Sequence, residues 1–162
     1  MLTTLENLKT YLGITDQSED AKLTKILESA DRFVKNYCRR NFEYDAYDEL
    51  VYFYKGLGLV KETPVESIQT VETLEGNTLS VYKEDGGIIT LQEEFTGRAI
   101  VSYLGGYKEI PGDLELAVLR LCEYFYLKPE GVTARDIPAG RLQFGDLSDV
   151  ISILDRYRRV RI

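Results

Sequence analysis

Apolar residues recur at helical spacing near both ends of the chain and give way to short β-prone runs between them. Thr3-Thr-Leu-Glu6 fits a capping box, with Thr3 accepting from the backbone and Glu6 reaching back. Leu5, Leu8 and Leu12 then share one side of a short helix that Gly13 ends. After a turn at Asp16-Gln17-Ser18, Leu23, Ile26, Leu27, Ala30, Phe33, Val34, Tyr37 and Cys38 hold the spacing of a longer amphipathic helix. Glu19 and Asp20 at its start and Arg39 and Arg40 at its end complement the macrodipole. From Tyr44 the period shortens. Leu50–Tyr54, Val65–Val71, Leu79–Tyr82, Ile88–Leu91 and Ala99–Leu104 read as strands, with turns at Gly56-Leu57-Gly58, Gly76-Asn77, Asp85-Gly86-Gly87 and Gly105-Gly106.

Pro111 and Asp113 open a third helix, so apolar from Leu114 to Leu127 that it needs cover on most faces. Lys128-Pro129 ends it. Residues 130–146 carry Gly131, Pro138, Gly140 and Gly145 without periodicity, the mark of a binding surface more than of a packed core. A last helix sets Val150, Ile151 and Leu154 on one face. The expected fold class is α+β: a small bundle of about four helices, with a mostly antiparallel β-sheet inserted between the second and third. One domain is expected over 1–162, with helices at 4–12, 19–40, 113–127 and 147–157 and the β insertion at 44–104.

Composition narrows the chemistry. The chain has 162 residues, 44% hydrophobic and 29% charged, the profile of an ordinary globular protein. It contains no histidine, which removes the commonest general base and metal ligand. The 27 acidic and 20 basic side chains leave a net charge of −7, against a general nucleic-acid binder. The start, Met1-Leu-Thr-Thr-Leu-Glu6, does not read as a signal peptide, and no run is long enough for a membrane span. Cys38 and Cys122, each on an apolar helix face, read first as buried free thiols, with a disulfide or a reactive thiol as the alternatives.

No motif supports an enzyme. Neither glycine cluster matches a phosphate loop. Glu43, Asp45, Asp48 and Glu49 lack the spacing of a calcium loop and read as a solvated face. Glu93 and Glu94 are adjacent, so on a strand they point to opposite faces. What remains are interaction features. Twelve tyrosines without a tryptophan suit packing in the sheet or half-wet surfaces. The final seven residues hold four arginines and no acid. That tail reads as a solvated end, as a dock for an acidic partner, or as a DNA phosphate contact.

Several segments, in order, resemble the tailed-phage head–tail connector (adaptor) family. They are Leu2-Thr-Thr-Leu-Glu-Asn-Leu-Lys-Thr-Tyr-Leu-Gly13, the helix Lys22–Cys38, Pro64-Val-Glu-Ser-Ile68, Val101-Ser-Tyr-Leu-Gly-Gly-Tyr107 with Ile110-Pro111, and the ending Ile153-Leu-Asp-Arg-Tyr-Arg-Arg-Val-Arg161. The resemblance implies a non-catalytic virion protein with no cofactor, metal or membrane partner. Its implied partners are itself, in a closed ring of about twelve copies, the portal protein, and a stopper or tail-completion protein. DNA would pass through the lumen without specific binding. The implied location is the head–tail interface, after assembly in the host cytoplasm, and a prophage is one source of such a gene. On charge contrast and the similar ending, Arg156, Tyr157, Arg158, Arg159 and Arg161 are the candidate portal dock. Arg135, Ile137, Leu142 and Phe144, in the irregular segment, are the candidate subunit interface. The alternative from the residues alone is a small cytoplasmic adaptor or regulatory module without a virion role.

Overall fold

The computed structural model describes residues 1–127 and 147–159. Contacts divide the chain into a discontinuous helical unit, Met1–Arg39 with Ile110–Ile162, and a continuous β unit, Arg40–Glu109. Among the described residues the fold is α+β, four helices and six strands, with these strands between the second and third helices.

In the helical unit, α1 spans Leu5–Leu12, α2 Asp20–Cys38, α3 Gly112–Leu127 and α4 Ser148–Tyr157. The N-cap is Thr4 rather than the expected Thr3: its side chain accepts from the Asn7 N–H at 3.2 Å, and the Asn7 side chain, where a box would need a residue reaching back, donates instead to Glu115 at 2.8 Å. Thr3 is otherwise engaged, donating to Glu115 of α3 at 2.6 Å. Gly13 ends α1 at φ 70°, where a side chain would strain the backbone. Leu23, Leu27, Ala30, Val34 and Cys38 form the buried face of α2, against Leu114, Ala117, Val118, Leu121 and Cys122 of α3 and Val150 and Leu154 of α4. Removing each such leucine from water contributes about 2 kcal/mol. Asp31 is buried among them because it is paired: its carboxylate accepts the Leu2 N–H at 2.8 Å and meets Lys35 at 3.0 Å. Both cysteines are buried and free. Burial, with Asp31 nearby, pushes the Cys122 thiol up to about 12, so it stays protonated and unreactive.

The β unit holds β1 (Asp45–Phe53), β2 (Leu57–Leu59), β3 (Val65–Thr73), β4 (Val81–Asp85), β5 (Ile88–Leu91) and β6 (Gly97–Gly105). They form two antiparallel three-stranded sheets, β1-β6-β3 and β2-β5-β4, where hydropathy alone suggested one. Alternation directs Val51 and Phe53, Val71, Ile89 and Leu91, and Ala99, Val101 and Tyr103 into a single core shared by both sheets. Gly58 is required by that core: a Cβ there would stand 2.6 Å from the Phe53 ring.

A buried polar cluster ties the beginning of the unit to the loop before β3. Glu62, 4% exposed, accepts from the backbone N–H of Asn41 at 2.8 Å and of Phe42 at 3.0 Å. Arg40 donates to the Thr63 carbonyl and sets its Nε 3.8 Å from Glu62. The Tyr103 hydroxyl donates to Glu49 at 3.0 Å and accepts the Glu62 N–H at 3.1 Å. The end of the unit returns to the same place. Tyr107 N–H donates to Phe42 O at 2.7 Å, and Gly106 N–H to Pro64 O at 3.0 Å. Gly106 has φ 92°, and a Cβ there would land on the Glu43 carbonyl.

Glu62→Gln leaves Arg40 buried without its counter-charge and is expected to cost about 3 kcal/mol. Glu66→Gln, at an exposed carboxylate that meets Lys108 at 2.7 Å, is expected to cost under about 1 kcal/mol. Urea unfolding followed by circular dichroism distinguishes them, and equal losses would contradict the buried cluster. Tyr47, whose hydroxyl donates to Glu43 O at 2.6 Å, has its phenol pushed up to about 12 by burial and by the nearby carboxylates, Glu62 foremost. The unfolded phenol ionises near its ordinary value while the folded one keeps its proton. Stability is therefore intact below about pH 10 and falls as pH climbs toward 12. Tyr47→Phe is expected to flatten part of that fall, read as the unfolding midpoint at pH 9 and pH 11.

Candidate docking surfaces

The described part of the arginine-rich ending is held by its own helices. Arg156 of α4 meets Asp113 of α3 at 3.3 Å, and the Tyr157 hydroxyl donates to the other oxygen of the same carboxylate at 2.6 Å. One residue on, the Arg158 guanidinium lies 5.1 Å from the centre of the Tyr37 ring on α2. Tyr37 in turn donates to Asp155 at 2.6 Å, and burial together with that carboxylate raises its phenol above the ordinary value. The Arg159 N–H donates to the Cys38 carbonyl at 3.1 Å, fastening the chain to the end of α2.

Of the five residues singled out as a dock, Arg156 and Tyr157 therefore share one partner, while the Arg158 side chain lies over Tyr37 of α2 and the Arg159 backbone bonds the end of that helix. Arg156 and Arg158 remain exposed and keep charge available to a partner. Arg161 lies outside the described residues, as do Arg135, Ile137, Leu142 and Phe144.

Charge is distributed unequally between the units. The β unit carries 13 acidic and 6 basic side chains, a net −7, and the remaining residues carry 14 of each. The whole net charge of the protein thus belongs to the β unit. Glu43, Asp45, Asp48 and Glu49 do not converge on one point: Glu49 is taken by Tyr103 and Lys61, and Asp48 accepts from Ser102 at 2.6 Å. Among the described residues no group of acids or cysteines is placed to hold a metal ion, and no helix is long and apolar enough to cross a membrane. Sequence reasoning missed Arg40, Glu62 and Tyr103 as a unit. Only Pro64, a sign of a constrained turn, hinted that Glu62 was more than a surface carboxylate.

The described residues thus form a helical unit with a β insertion, and the insertion carries the net charge. The fold matches a chain in a structure described as the neck of an empty GTA particle computed with C6 symmetry. The TM-score is 0.65 at 16% identity, over 99% of this chain and 91% of that one. A chain in the virion of a native gene transfer agent particle gives 0.61 at 16%, with the same coverage. One in the neck of a native GTA particle computed with C12 symmetry gives 0.58 at 17%, over 88% and 85%. At these identities the likeness is one of fold. No curated protein matches the chain. The sequence model of the head completion protein family matches residues 1–160, and the chain belongs to that family. It is a bacteriophage-type structural protein of the virion, acting where head and tail are joined.

The shared carboxylate yields a prediction. Asp113→Ala is expected to cost about 1–2 kcal/mol, most of it from the lost Tyr157 bond. Arg156→Ala, removing an exposed pair, is expected to cost less than about 0.5 kcal/mol. Thermal unfolding of the single variants and of Tyr157→Phe would expose a reversed order.

Proposed function

We propose that the protein is one subunit of a closed homo-oligomeric ring beneath the portal, joining the head to the tail or stopper and extending the DNA channel. The observation that carries this reading is the family match across nearly the whole chain. The GTA necks solved with C6 and C12 symmetry support the rotational arrangement. Both units act together as one connector subunit, and the protein performs no catalytic step. A head-to-tail ring of this kind closes by rotation rather than by a twofold.

Charge supports the assignment of contacts. The β unit, at net −7, repels a DNA backbone and suits a path along which the genome slides without being gripped. The ending Arg156, Tyr157, Arg158, Arg159 and Arg161 is the portal dock, its guanidiniums suited to forked contacts with carboxylates. Arg135, Ile137, Leu142 and Phe144 form the contact with the neighbouring subunit. The ring assembles in the host cytoplasm and remains in the virion.

Mixing the purified protein with the portal ring encoded beside it tests the reading, by co-migration and negative-stain imaging. Truncation at Arg156 would also unfasten α4 from Asp113, so charge reversal is the cleaner variant. Wild type is expected to add a ring of density to the portal, and Arg158→Glu with Arg161→Glu to weaken attachment at least about tenfold. Full-length protein that stays apart from empty and DNA-filled portals alike would favour an adaptor without a virion role.

A further inference from the structure

The two edges of the sheet β1-β6-β3 are treated differently. The β3 edge is covered and bent: Leu79 N–H donates to Val71 O at 2.8 Å and Thr73 N–H to Asn77 O at 2.9 Å, and the register shifts twice along β3. Such covering and bulging are the usual protections of an edge. Strand β1, by contrast, pairs with β6 in unbroken register over all nine residues; β2 turns back from it at Tyr54 and Leu57, and among the described residues no other strand pairs with its outer side.

Three contacts fix which backbone groups face that open side. Tyr54 and Leu57 exchange backbone bonds at 2.9 and 3.0 Å, away from β6. The Ala46 N–H turns to the Asp45 carboxylate at 2.8 Å. Lys55 N–H instead points to Thr96, the residue before β6, at 3.0 Å. Backbone groups alternate sides along an antiparallel strand. Asp48, Leu50 and Tyr52, between Ala46 and Tyr54, therefore direct their N–H and C=O groups outward. Among the described residues nothing pairs with those groups.

The side chains beside this row define what fits it. Leu50 is 53% exposed and Tyr52 61%, and Ile100 on β6, directly across from Leu50, is 41% exposed. Asp48 sits two residues from Leu50 on the same face. A second β1 laid alongside would add another Asp45, Asp48 and Glu49 to an edge within a unit already at net −7. Like charges across a strand pair oppose that pairing. The complementary occupant is basic.

We propose that the open edge of β1 accepts an added strand from another protein, an extended segment that sets apolar or aromatic side chains beside Leu50 and Tyr52 and a lysine or arginine beside Asp48. Main-chain bonds to Asp48, Leu50 and Tyr52 supply the affinity, and the alternate side chains the selectivity. The proposal concerns the β unit alone and stands whether or not the ring does.

The probe is a synthetic peptide, Lys-Thr-Tyr-Thr-Val-Thr-Lys-Thr-Lys, added to the full chain. Amide exchange at Asp48, Leu50 and Tyr52 is expected to slow at least about tenfold at saturation. The same peptide N-methylated at alternate residues keeps its charge and loses its donors, and is expected to give no protection. Leu50→Pro removes an outward N–H, which an edge strand tolerates, and is expected to abolish binding with the circular dichroism spectrum unchanged. Asp48→Lys is expected to weaken binding at least about fivefold. Equal binding of the methylated peptide would reduce the site to charge attraction and overturn the proposal, and that comparison needs no variant to fold. Absence of protection at millimolar peptide would overturn it too. Self-association of the protein that disappears in Leu50→Pro would show the edge pairing with its own copy and overturn the assignment of a basic partner.

Discussion

An insertion between two helices must hand the chain back where it received it, and here a buried carboxylate enforces that return. Glu62 gathers the N–H groups of Asn41 and Phe42 and faces Arg40, fixing the first residues of the β unit against the loop before β3. The last residues then bond to the same stretch, Tyr107 to Phe42 and Gly106 to Pro64. Taking these charges out of water is costly, and the pairing offsets that cost only because backbone donors and the Tyr103 hydroxyl complete the cluster. The core of the β unit is built on this closure. Tyr103 is at once a member of the polar cluster and one of the largest fully buried side chains.

The helices were legible in the sequence because their apolar positions repeat at a period that only a helix satisfies. Leu23, Leu27, Ala30, Val34 and Cys38 are buried as their spacing requires. The split of the strands into two sheets was not legible, because alternation says which residues face inward but not which strands are neighbours. The N-cap was misplaced by one residue for a related reason: Thr3 and Thr4 are chemically equivalent in isolation, and only Glu115, more than a hundred residues on, decides between them. Glu62 was hidden in the same way, since its partners are backbone groups that leave no trace in side-chain pattern.

The arginine-rich ending was legible as a feature, but what anchors it was not. Four arginines in seven residues announce a basic segment, but the carboxylate that anchors Arg156 and Tyr157 begins α3, far away in sequence. Net charge misled in one respect. A value of −7 spread over 162 residues describes a mildly acidic protein, whereas the same charge confined to the 70 residues from Arg40 to Glu109 describes one strongly acidic unit and one neutral unit. Family membership supplies the setting in which such a separation matters, the head–tail junction of a virion.

The continuity of the two units also sets an order of events during synthesis. The β unit is a single stretch and can complete its sheets once Gly105 has emerged, whereas α1 and α2 must wait for α3. Until the β unit folds, about 70 flexible residues separate α2 from α3. Once its ends are pinned, the same gap behaves as a short connection. By the chain-entropy relation this lowers the cost of bringing α3 to α2 by about 2 kcal/mol. The insertion is thereby a folding aid to the helices that flank it, made early and used as a clasp.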